Sequence, residues 1–295
     1  MPLSDRLKTS VRKAYGLGTS LLPMKARVLL TFFKAHGYLP NTEDPKTFAE
    51  KIHVRKSLSG DFYRLVDKIS VKQFVEQRCG SDIVIPTLYS GTELPPLSER
   101  NEWPFPYIIK TNHASGTYII VRDTPDWSAI ETKLERFTQA NLGELSGELF
   151  YEKIEPKILV EPMIGNGIDL PLDYKFFVFG EQIAFIQVDL NREHGHRRNF
   201  YSTDWKRLDI QLTKDNGEDV ERPKNFLRMI AIALELGRSL SFARIDLYNV
   251  DGKIYFGEIT FTPNAGFSRF TPPSLDRALG DKWILPDKAA MFTYD

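Results

Sequence analysis

The sequence predicts an α+β fold built on antiparallel sheets, and three features of its 295 residues carry that prediction. Two β-runs rich in Ile, Tyr, Phe and Val flank Asn249-Val250-Asp251-Gly252, the pattern of a hairpin. A second pair of apolar runs, Pro106–Lys110 and Tyr118–Val121, brackets a short polar loop around Gly116. Between these runs lie segments with helical spacing of apolar residues, such as Phe226, Met229, Ile230, Ala233 and Leu234. With 42% hydrophobic and 26% charged residues, the chain can bury the core of one large domain or of two closely packed lobes.

Composition excludes several classes of function. Lys plus Arg and Asp plus Glu both number 39, so no global field points to nucleic acid, and none is expected as a partner. The single cysteine, Cys79, rules out an intramolecular disulfide and suits a reducing compartment. No apolar run approaches the roughly 18 residues of a membrane span, and no signal-peptide pattern opens the chain, so a cytoplasmic location is expected. Nothing in the residues points to a particular oligomer.

Residues 1–40 carry Arg6, Lys8, Arg12, Lys13, Lys25, Arg27 and Lys34 against the one acid Asp5, interleaved with Leu21, Leu22, Leu29, Leu30, Phe32 and Phe33. They predict an N-terminal helical extension over residues 1–60, either packed on the body with its lysines in water or touching an anionic membrane surface. Asp44-Pro45 reads as an N-cap and first-turn proline for a helix that turns Phe48 and Ile52 inward. Leu65-Val66-Asp67-Lys68 opens a helix with Val71, Phe74 and Val75 on one face. A helix dipole disfavours a cation at that end, so Lys68 has reason to meet an anion. Ile83 to Pro86 reads as a short strand, and the Pro-rich run Thr92 to Pro106 as a loop.

In the next hairpin Lys110 leaves the first strand, and the small residues Ser115, Gly116 and Thr117 let backbone N–H groups close around phosphate oxygens. An ordinary hairpin turn is the competing reading; a Walker A loop is excluded because a strand follows where that motif needs a helix. Pro125 to Leu142 is an amphipathic helix, and Lys157 to Ile164 a buried strand running into a loop at Gly165 and Gly167. Such a strand end could offer its backbone to a flat base or be a plain connection. Asp173–Phe179 and Gln182–Leu190 are strands turned by Gly180-Glu181, with Asp173 and Lys175 on one face, where buried charges need partners. Asn191 to Asn199 reads as a loop in which Arg197 and Arg198 suit anion contacts or a solvated turn; His194 and His196 have too few neighbouring ligands for zinc. Pro223 opens the last long helix.

The residues Asn249, Asp251 and Gly252 favour a three-residue loop with a bulge, pairing Asn249 with Lys253. That register sets Arg244 opposite Glu258 and brings Asp246 and Thr260 to the same face, whereas a two-residue Asp-Gly turn sends Glu258 to the other. Two carboxylates on one face repel unless a cation lies between them, which suits Mg²⁺ with room for phosphate. An exposed Arg-Asp-Glu salt-bridge cluster is the alternative.

In this order the motifs resemble the ATP-grasp superfamily, and specifically its TupA-like branch, found in bacterial surface-polysaccharide gene sets. The resemblance rests on Asp44-Pro45-Lys46-Thr47-Phe48 with Glu50-Lys51-Ile52, Leu65-Val66-Asp67-Lys68, Ile109-Lys110-Thr111-Asn112-His113, Asp173-Tyr174-Lys175-Phe176-Phe177, Arg198-Asn199-Phe200-Tyr201, Arg244-Ile245-Asp246-Leu247-Tyr248 and Gly257-Glu258-Ile259-Thr260-Phe261-Thr262-Pro263. It spans roughly residues 40 to 286 and implies an ATP-grasp fold, two α/β lobes with antiparallel sheets clasping ATP. Residues 61–295 would form the catalytic unit, with 82–164 as its small lobe. Lys68 and Lys110 would meet phosphate oxygens beneath the Ser115-Gly116-Thr117 loop, adenine would lie at Glu161 and the Met163-Ile164 backbone, and ribose near Asp173 and Lys175. Asp246, Glu258 and Thr260 would hold Mg²⁺. Thr260 departs from the asparagine that most ATP-grasp ligases carry there, and the phosphate loop has a single glycine.

The implied activity is ATP-dependent carboxylate–amine ligation through an acyl phosphate, with Arg244, Lys110 and Lys175 acting on the reacting groups. The partners implied are an acidic sugar or uronic-acid polymer and an amine from an amino acid or peptide, with Arg197, Arg198 and Asn264 as candidate contacts to the acid. An ATP-dependent sugar phosphotransferase, a glycosyltransferase and a non-catalytic nucleotide-binding protein are the alternatives. The glycosyltransferase reading lacks an Asp-x-Asp metal motif and leaves the charged hairpin unexplained.

Overall fold

Alternation of side chains along two antiparallel sheets decides how the chain is layered. A computed structural model describes residues 22–56, 62–140 and 142–285. Arg6, Lys8, Arg12, Lys13 and Leu21 of the basic segment therefore lie outside the described residues.

The first sheet contains β1 (Tyr89–Gly91), β2 (Tyr107–Thr111), β3 (Tyr118–Val121) and β4 (Ile158–Pro162) in the order β1-β4-β2-β3. The second has the order β10-β9-β5-β6-β7, from β5 (Asp173–Phe179), β6 (Gln182–Leu190), β7 (Arg197–Tyr201), β9 (Ala243–Val250) and β10 (Lys253–Thr260). Separately, β8 (Gln211–Leu212), which follows β7 in the chain, pairs with β11 (Phe270–Thr271), which follows β10. The principal helices are α1 (Met24–His36), α2 (Phe48–Lys56), α3 (Ser70–Cys79), α4 (Trp127–Thr138), α5 (Phe226–Gly237) and α6 (Ser274–Lys282).

One face of the second sheet is mainly apolar, with Asn199 as a buried polar exception. Tyr174, Phe176 and Val178 of β5 join Ile186, Val188, Ile245 and Leu247 against Val71 and Val75 of α3 and Met229, Ala233 and Leu236 of α5. The opposite face is divided. At one end Phe177, Phe185 and Phe200 pack under Phe48, Ile52, Phe242, Phe270 and Trp283; the rest of that face carries charge. The first sheet buries Tyr107, Ile109, Val121, Ile158 and Val160 against Ile130 and Leu134 of α4 and Trp103.

Helix starts follow local chemistry that differs in places from the sequence expectation. Helix α2 is capped not by Asp44 but by Thr47, whose hydroxyl accepts the Glu50 N–H at 3.2 Å. The Glu50 carboxylate in turn accepts the N–H groups of Lys46 and Thr47 at 2.8 and 3.0 Å. This reciprocal capping box leaves Asp44-Pro45 outside the helix. Helix α5 begins at Phe226, three residues beyond Pro223, because Asn225 takes a left-handed conformation. Ile83 to Pro86 is not a strand: Ser81–Ile83 is a tight helical turn, and pairing starts only at Tyr89.

Two further corrections concern the second sheet. The segment expected to be a loop through Asn199 becomes strand β7 from Arg197 onward, because β6 offers it an edge and Asn199 anchors there through Gly217 N–H at 2.8 Å. The β9–β10 hairpin turns through two residues and not three. Val250 pairs with Lys253, while Asp251 (φ 52°) and Gly252 (φ 92°) both occupy the left-handed region required by a primed turn. Glu258 is nevertheless on the face of Asp246, because an extra residue, Gly257, bulges out of β10 and shifts the register after Phe256. Glu258 thus stands opposite Asp246, and Thr260 opposite Arg244, two residues from the predicted pairing but on the same face.

Candidate functional site

The charged part of the second sheet is organised in rows that run across the strands. In one row Glu258, Asp246, Lys175 and Gln187 are register partners in succession; in the next, Tyr248, Asp173, Asp189 and Arg198 are. Because side chains two apart share a face, these rows and Arg244 form a single polar floor. Above it lies a cavity of about 410 Å³, roofed by Lys110, Ser115, Gly116 and Tyr118 from the first sheet and bounded by Lys68, Arg192 and Asn264.

The floor is a network of buried ion pairs. Arg244 reaches Asp246 through Nε–Oδ1 and Nη2–Oδ2 contacts of 2.7 Å each, Glu258 Oε1 at 2.9 Å and the Thr260 hydroxyl at 3.0 Å. Lys175 Nζ bridges Asp246 Oδ2 at 2.5 Å and Asp173 Oδ2 at 2.6 Å. Arg192 Nη1 adds a second contact to Asp173 at 3.1 Å, and Arg198 grips Asp189 through Nε at 2.6 Å and Nη2 at 3.2 Å. Charges this deep persist because each has opposite charge within hydrogen-bond reach.

The titration of these groups follows the same balance. Burial raises the Glu258 carboxyl, but Arg244, Lys175 and Lys68 outweigh it and bring it down to about 2. Asp246 moves the other way, up to about 6, because burial and the nearby Glu258 and Asp173 carboxylates oppose the pull of Arg244 and Lys175. Burial lowers Lys68 to about 8, the Lys110 charge adding to it and Glu258 acting against it. A paired lysine behaves differently: Lys175 is raised, since Asp173 and Asp246 overcome its burial.

The roof is held by backbone carbonyls. Lys68 Nζ donates to the Ala114 carbonyl at 2.6 Å, fixing the base of the loop that carries Ser115 and Gly116. Gly116 has φ 74°, and no atom lies within 4 Å of where a Cβ would be, so its glycine serves the turn and not a close approach. Thr117 faces back into its own hairpin, its hydroxyl 2.6 Å from that of Thr111. Asn112 ties this loop to Asp67 beside Lys68, donating to its carboxylate at 3.0 Å.

Of the residues expected at a site, Lys68, Lys110, Ser115, Gly116, Asp173, Lys175, Arg198, Arg244, Asp246, Glu258 and Asn264 all line the cavity. Thr260 lies behind Arg244 and Glu258 and donates to Glu258 at 2.9 Å. Arg197 points away, paired with Asp215 at 2.8 Å, since it alternates with Arg198 along β7. Glu161 is buried between two ammonium groups, Lys110 at 2.5 Å and Lys72 at 2.6 Å. The Met163 N–H is donated to the Pro106 carbonyl at 2.9 Å, leaving Ile164 as the neighbouring backbone position. Four contributors escaped the sequence reading: Lys72, Asp189, Arg192 and Tyr248. Lys72 had a signal, four residues after Lys68, and Asp189 another, an acid in an apolar strand. Arg192 had none, because its loop is placed only by the fold.

Residues 50–284 match a family model described as TupA-like ATPgrasp. The chain belongs to the TupA-like ATP-grasp family. Its fold is the ATP-grasp fold, mixed helices and antiparallel sheets with a helical N-terminal region. Among solved structures it resembles D-alanine–D-alanine ligase from Bacillus anthracis (18% identity, TM-score 0.42, covering 67% of this chain and 57% of that one). It also resembles D-alanine–D-alanine ligase from Helicobacter pylori (13%, 0.40, 75% and 61%) and N5-carboxyaminoimidazole synthetase from Staphylococcus aureus (12%, 0.36, 66% and 44%). This chain spans less than two thirds of the length of each of these enzymes. A search of curated protein sequences found no match. Among the described residues no helix is long and apolar enough to cross a membrane.

The acids on the floor can be tested against a divalent ion. Among the described residues no cluster of three or more His, Cys, Asp or Glu side chains could cage a metal. Asp246 and Glu258 are direct cross-strand neighbours, and the Glu258 side chain is 38% exposed. That donor set fits Mg²⁺, which binds through one or two carboxylates and completes its shell with phosphate and water. A metal on Asp246 would take an oxygen now held by Arg244 or Lys175, and the Thr260 hydroxyl, engaged by Arg244 and Glu258, fits less well.

Proposed function

We propose that this chain is an ATP-dependent carboxylate–amine ligase that works through an acyl phosphate. The observation that carries the reading is the placement of Lys68 and Lys110 from the roof and Asp246, Glu258 and Arg244 from the floor on one cavity of about 410 Å³. In this reading the β1–β4 sheet with α4 is the small lobe and the five-stranded sheet the large one. ATP lies between them, its triphosphate against Lys68, Lys110 and the Ser115-Gly116 backbone, its adenine toward Glu161 and Ile164, and its ribose near Asp173.

Mg²⁺ held by Asp246 and Glu258 would neutralise phosphate charge when bound. The chain's own residues do the rest. Lys68 and Lys110 place positive charge where it builds up on the transferring phosphoryl group. A substrate carboxylate oxygen forms a bond to the γ-phosphorus as the bond to ADP breaks. An amine then attacks the acyl carbon, phosphate departs with the bonding electrons, and the amine loses a proton. Arg244 stands where it can stabilise the oxyanion of that addition.

For the substrates, we read Arg198 and Asn264, which line the same cavity, as contacts to an acidic sugar, a uronic acid whose carboxylate is joined to an amino acid or peptide amine in surface-polysaccharide synthesis. The test is calorimetry of Mg²⁺-dependent ATP binding, followed by hydroxylamine trapping of the acyl phosphate across a panel of uronic acids. Glu258→Gln is expected to weaken metal-dependent binding and to cut turnover about 100-fold or more. Turnover within about tenfold of wild type removes the metal assignment, and formation of a phosphomonoester without a hydroxamate points to a phosphotransferase instead.

A further inference from the structure

Lys72 has no part in the chemistry proposed above, yet it is bound more completely than Lys68 or Lys110. Its ammonium has three donors. All three have acceptors: Glu161 Oε1 at 2.6 Å, the Ile85 carbonyl at 2.8 Å and the Thr87 hydroxyl at 2.7 Å. Helix α3, which carries Lys72, packs on α5 beneath the large sheet. Glu161 belongs to β4 of the other sheet, and residues 85–87 are the chain that connects α3 to that sheet. Lys72 therefore sits at the junction of the two layers.

Its consequence lies in the second oxygen of Glu161, which holds Lys110 at 2.5 Å. Glu161 is 4% exposed, and burial raises its carboxyl while Lys110 and then Lys72 bring it back below the usual range. For Lys110 to turn toward a phosphate, it must give up some or all of this contact. If Glu161 had no other cation, the move would strand a carboxylate in the interior, which is strongly unfavourable. With Lys72 fixed on the other oxygen, Glu161 stays neutralised whichever way Lys110 points. A small cavity lined by Lys68, Lys72, Lys110 and Glu161, which shares Lys68 and Lys110 with the main one, also collects more positive than negative charge and so favours an anion.

We propose that Lys72 is a positioning residue for the nucleotide site: by holding Glu161 it releases Lys110 to bind phosphate. This inference rests on the reading of the cavity as an ATP site. It predicts that the effect of Lys72 appears only when the ligand has phosphates and only while Glu161 carries its charge.

The experiment is a double-mutant cycle read by calorimetry, with Mg·ATP and adenosine as the two probes. Lys72→Met is expected to weaken Mg·ATP binding roughly 10- to 100-fold and adenosine binding less than about threefold. In a Glu161→Gln background the same Lys72→Met change is expected to cost less than about threefold for Mg·ATP, because no carboxylate remains to hold Lys110. Lys72→Arg, which keeps the charge, is the second variant and is expected to bind Mg·ATP within about fivefold of wild type. Equal losses for ATP and adenosine, or the same loss with and without Glu161, would mean that Lys72 merely supports the fold and would overturn the inference alone. A wild-type protein that binds no ATP would overturn the ATP-site reading and this inference with it.

Discussion

Removing Arg244 tests the charged floor at its most connected point. Arg244 makes three contacts to carboxylate oxygens at 2.7 to 2.9 Å and one to a hydroxyl, and it is shared by Asp246, which is 1% exposed, and Glu258. Arg244→Met therefore leaves two carboxylates on one face with only Lys175 beside Asp246. Breaking a buried pair by deleting one partner costs about 3–5 kcal/mol, because the surviving charge is uncompensated. Against a typical total stability of about 5–15 kcal/mol the variant should fold, with its melting temperature lowered by roughly 5–8 °C for a chain of 295 residues. Urea and thermal unfolding at neutral pH measure the loss. The sharper test is a sign. Asp246→Asn alone should destabilise, since it leaves Arg244 and Lys175 short of a counter-charge. In the Arg244→Met background the same change should stabilise by about 1–3 kcal/mol, because it removes the stranded charge. A loss below about 1 kcal/mol for Arg244→Met, or destabilisation by Asp246→Asn in both backgrounds, refutes the argument that these charges are held only by one another.

Three other outcomes follow from particular side chains. His53 is buried, and burial with the neighbouring Lys56 lowers its imidazole to about 4 from an ordinary 6.5, so its contribution to stability is complete above pH 6.5 and is lost as pH falls through 4. Unfolding free energy should accordingly fall by about 2–3 kcal/mol more between pH 7 and 4 in the wild type than in His53→Leu; parallel pH profiles would show that His53 already charges freely in the folded chain. At Gly280 a Cβ would lie 2.1 Å from the Lys46 carbonyl oxygen and 2.8 Å from the Thr47 carbonyl carbon, so Gly280→Ala must push α6 off the start of α2. The expected cost is about 3 kcal/mol or more in urea unfolding, and a change under about 1 kcal/mol would mean that the two elements separate easily. Arg197→Ala removes only a pair that lies outside the cavity, so stability should move by no more than about 0.5 kcal/mol and Mg·ATP affinity by less than about twofold, whereas a tenfold loss of affinity would place Arg197 in the site.

Local chemistry sufficed for much of this molecule. Strands β2, β3, β5, β6, β9 and β10, and the inward faces of α2 and α5, were legible because apolar spacing is a property of neighbours in the chain. So were Lys68, Lys110, Asp173, Lys175, Arg244, Asp246 and Glu258, because charges inside apolar strands, or at the wrong end of a helix, are costly unless something answers them. What failed was what distant parts of the chain decide. The strand at β7 exists because β6 presents an open edge; the cap of α2 at Thr47, by contrast, is local chemistry that the sequence offered in Thr47 and Glu50 and the reading of Asp44-Pro45 passed over.

The hairpin that bears Asp246 and Glu258 shows the division most clearly. Sequence alone determined that Arg244, Asp246, Glu258 and Thr260 belong on one face, and it reached that result through a loop that does not form. The tertiary structure uses the tighter Asp251-Gly252 turn and recovers the face by a bulge at Gly257, where a Cβ would lie 3.1 Å from both the Asp246 carbonyl oxygen and the Tyr248 ring. Turn type is a local preference, but register is chosen by the burial of a whole face, and a bulge lets both be satisfied. The partners of each charge belong to that same level. Glu161 between Lys72 and Lys110 joins residues far apart in the chain, brought within reach by the packing of α3 against the first sheet, and Arg192 meets Asp173 only because β5 and β6 pair.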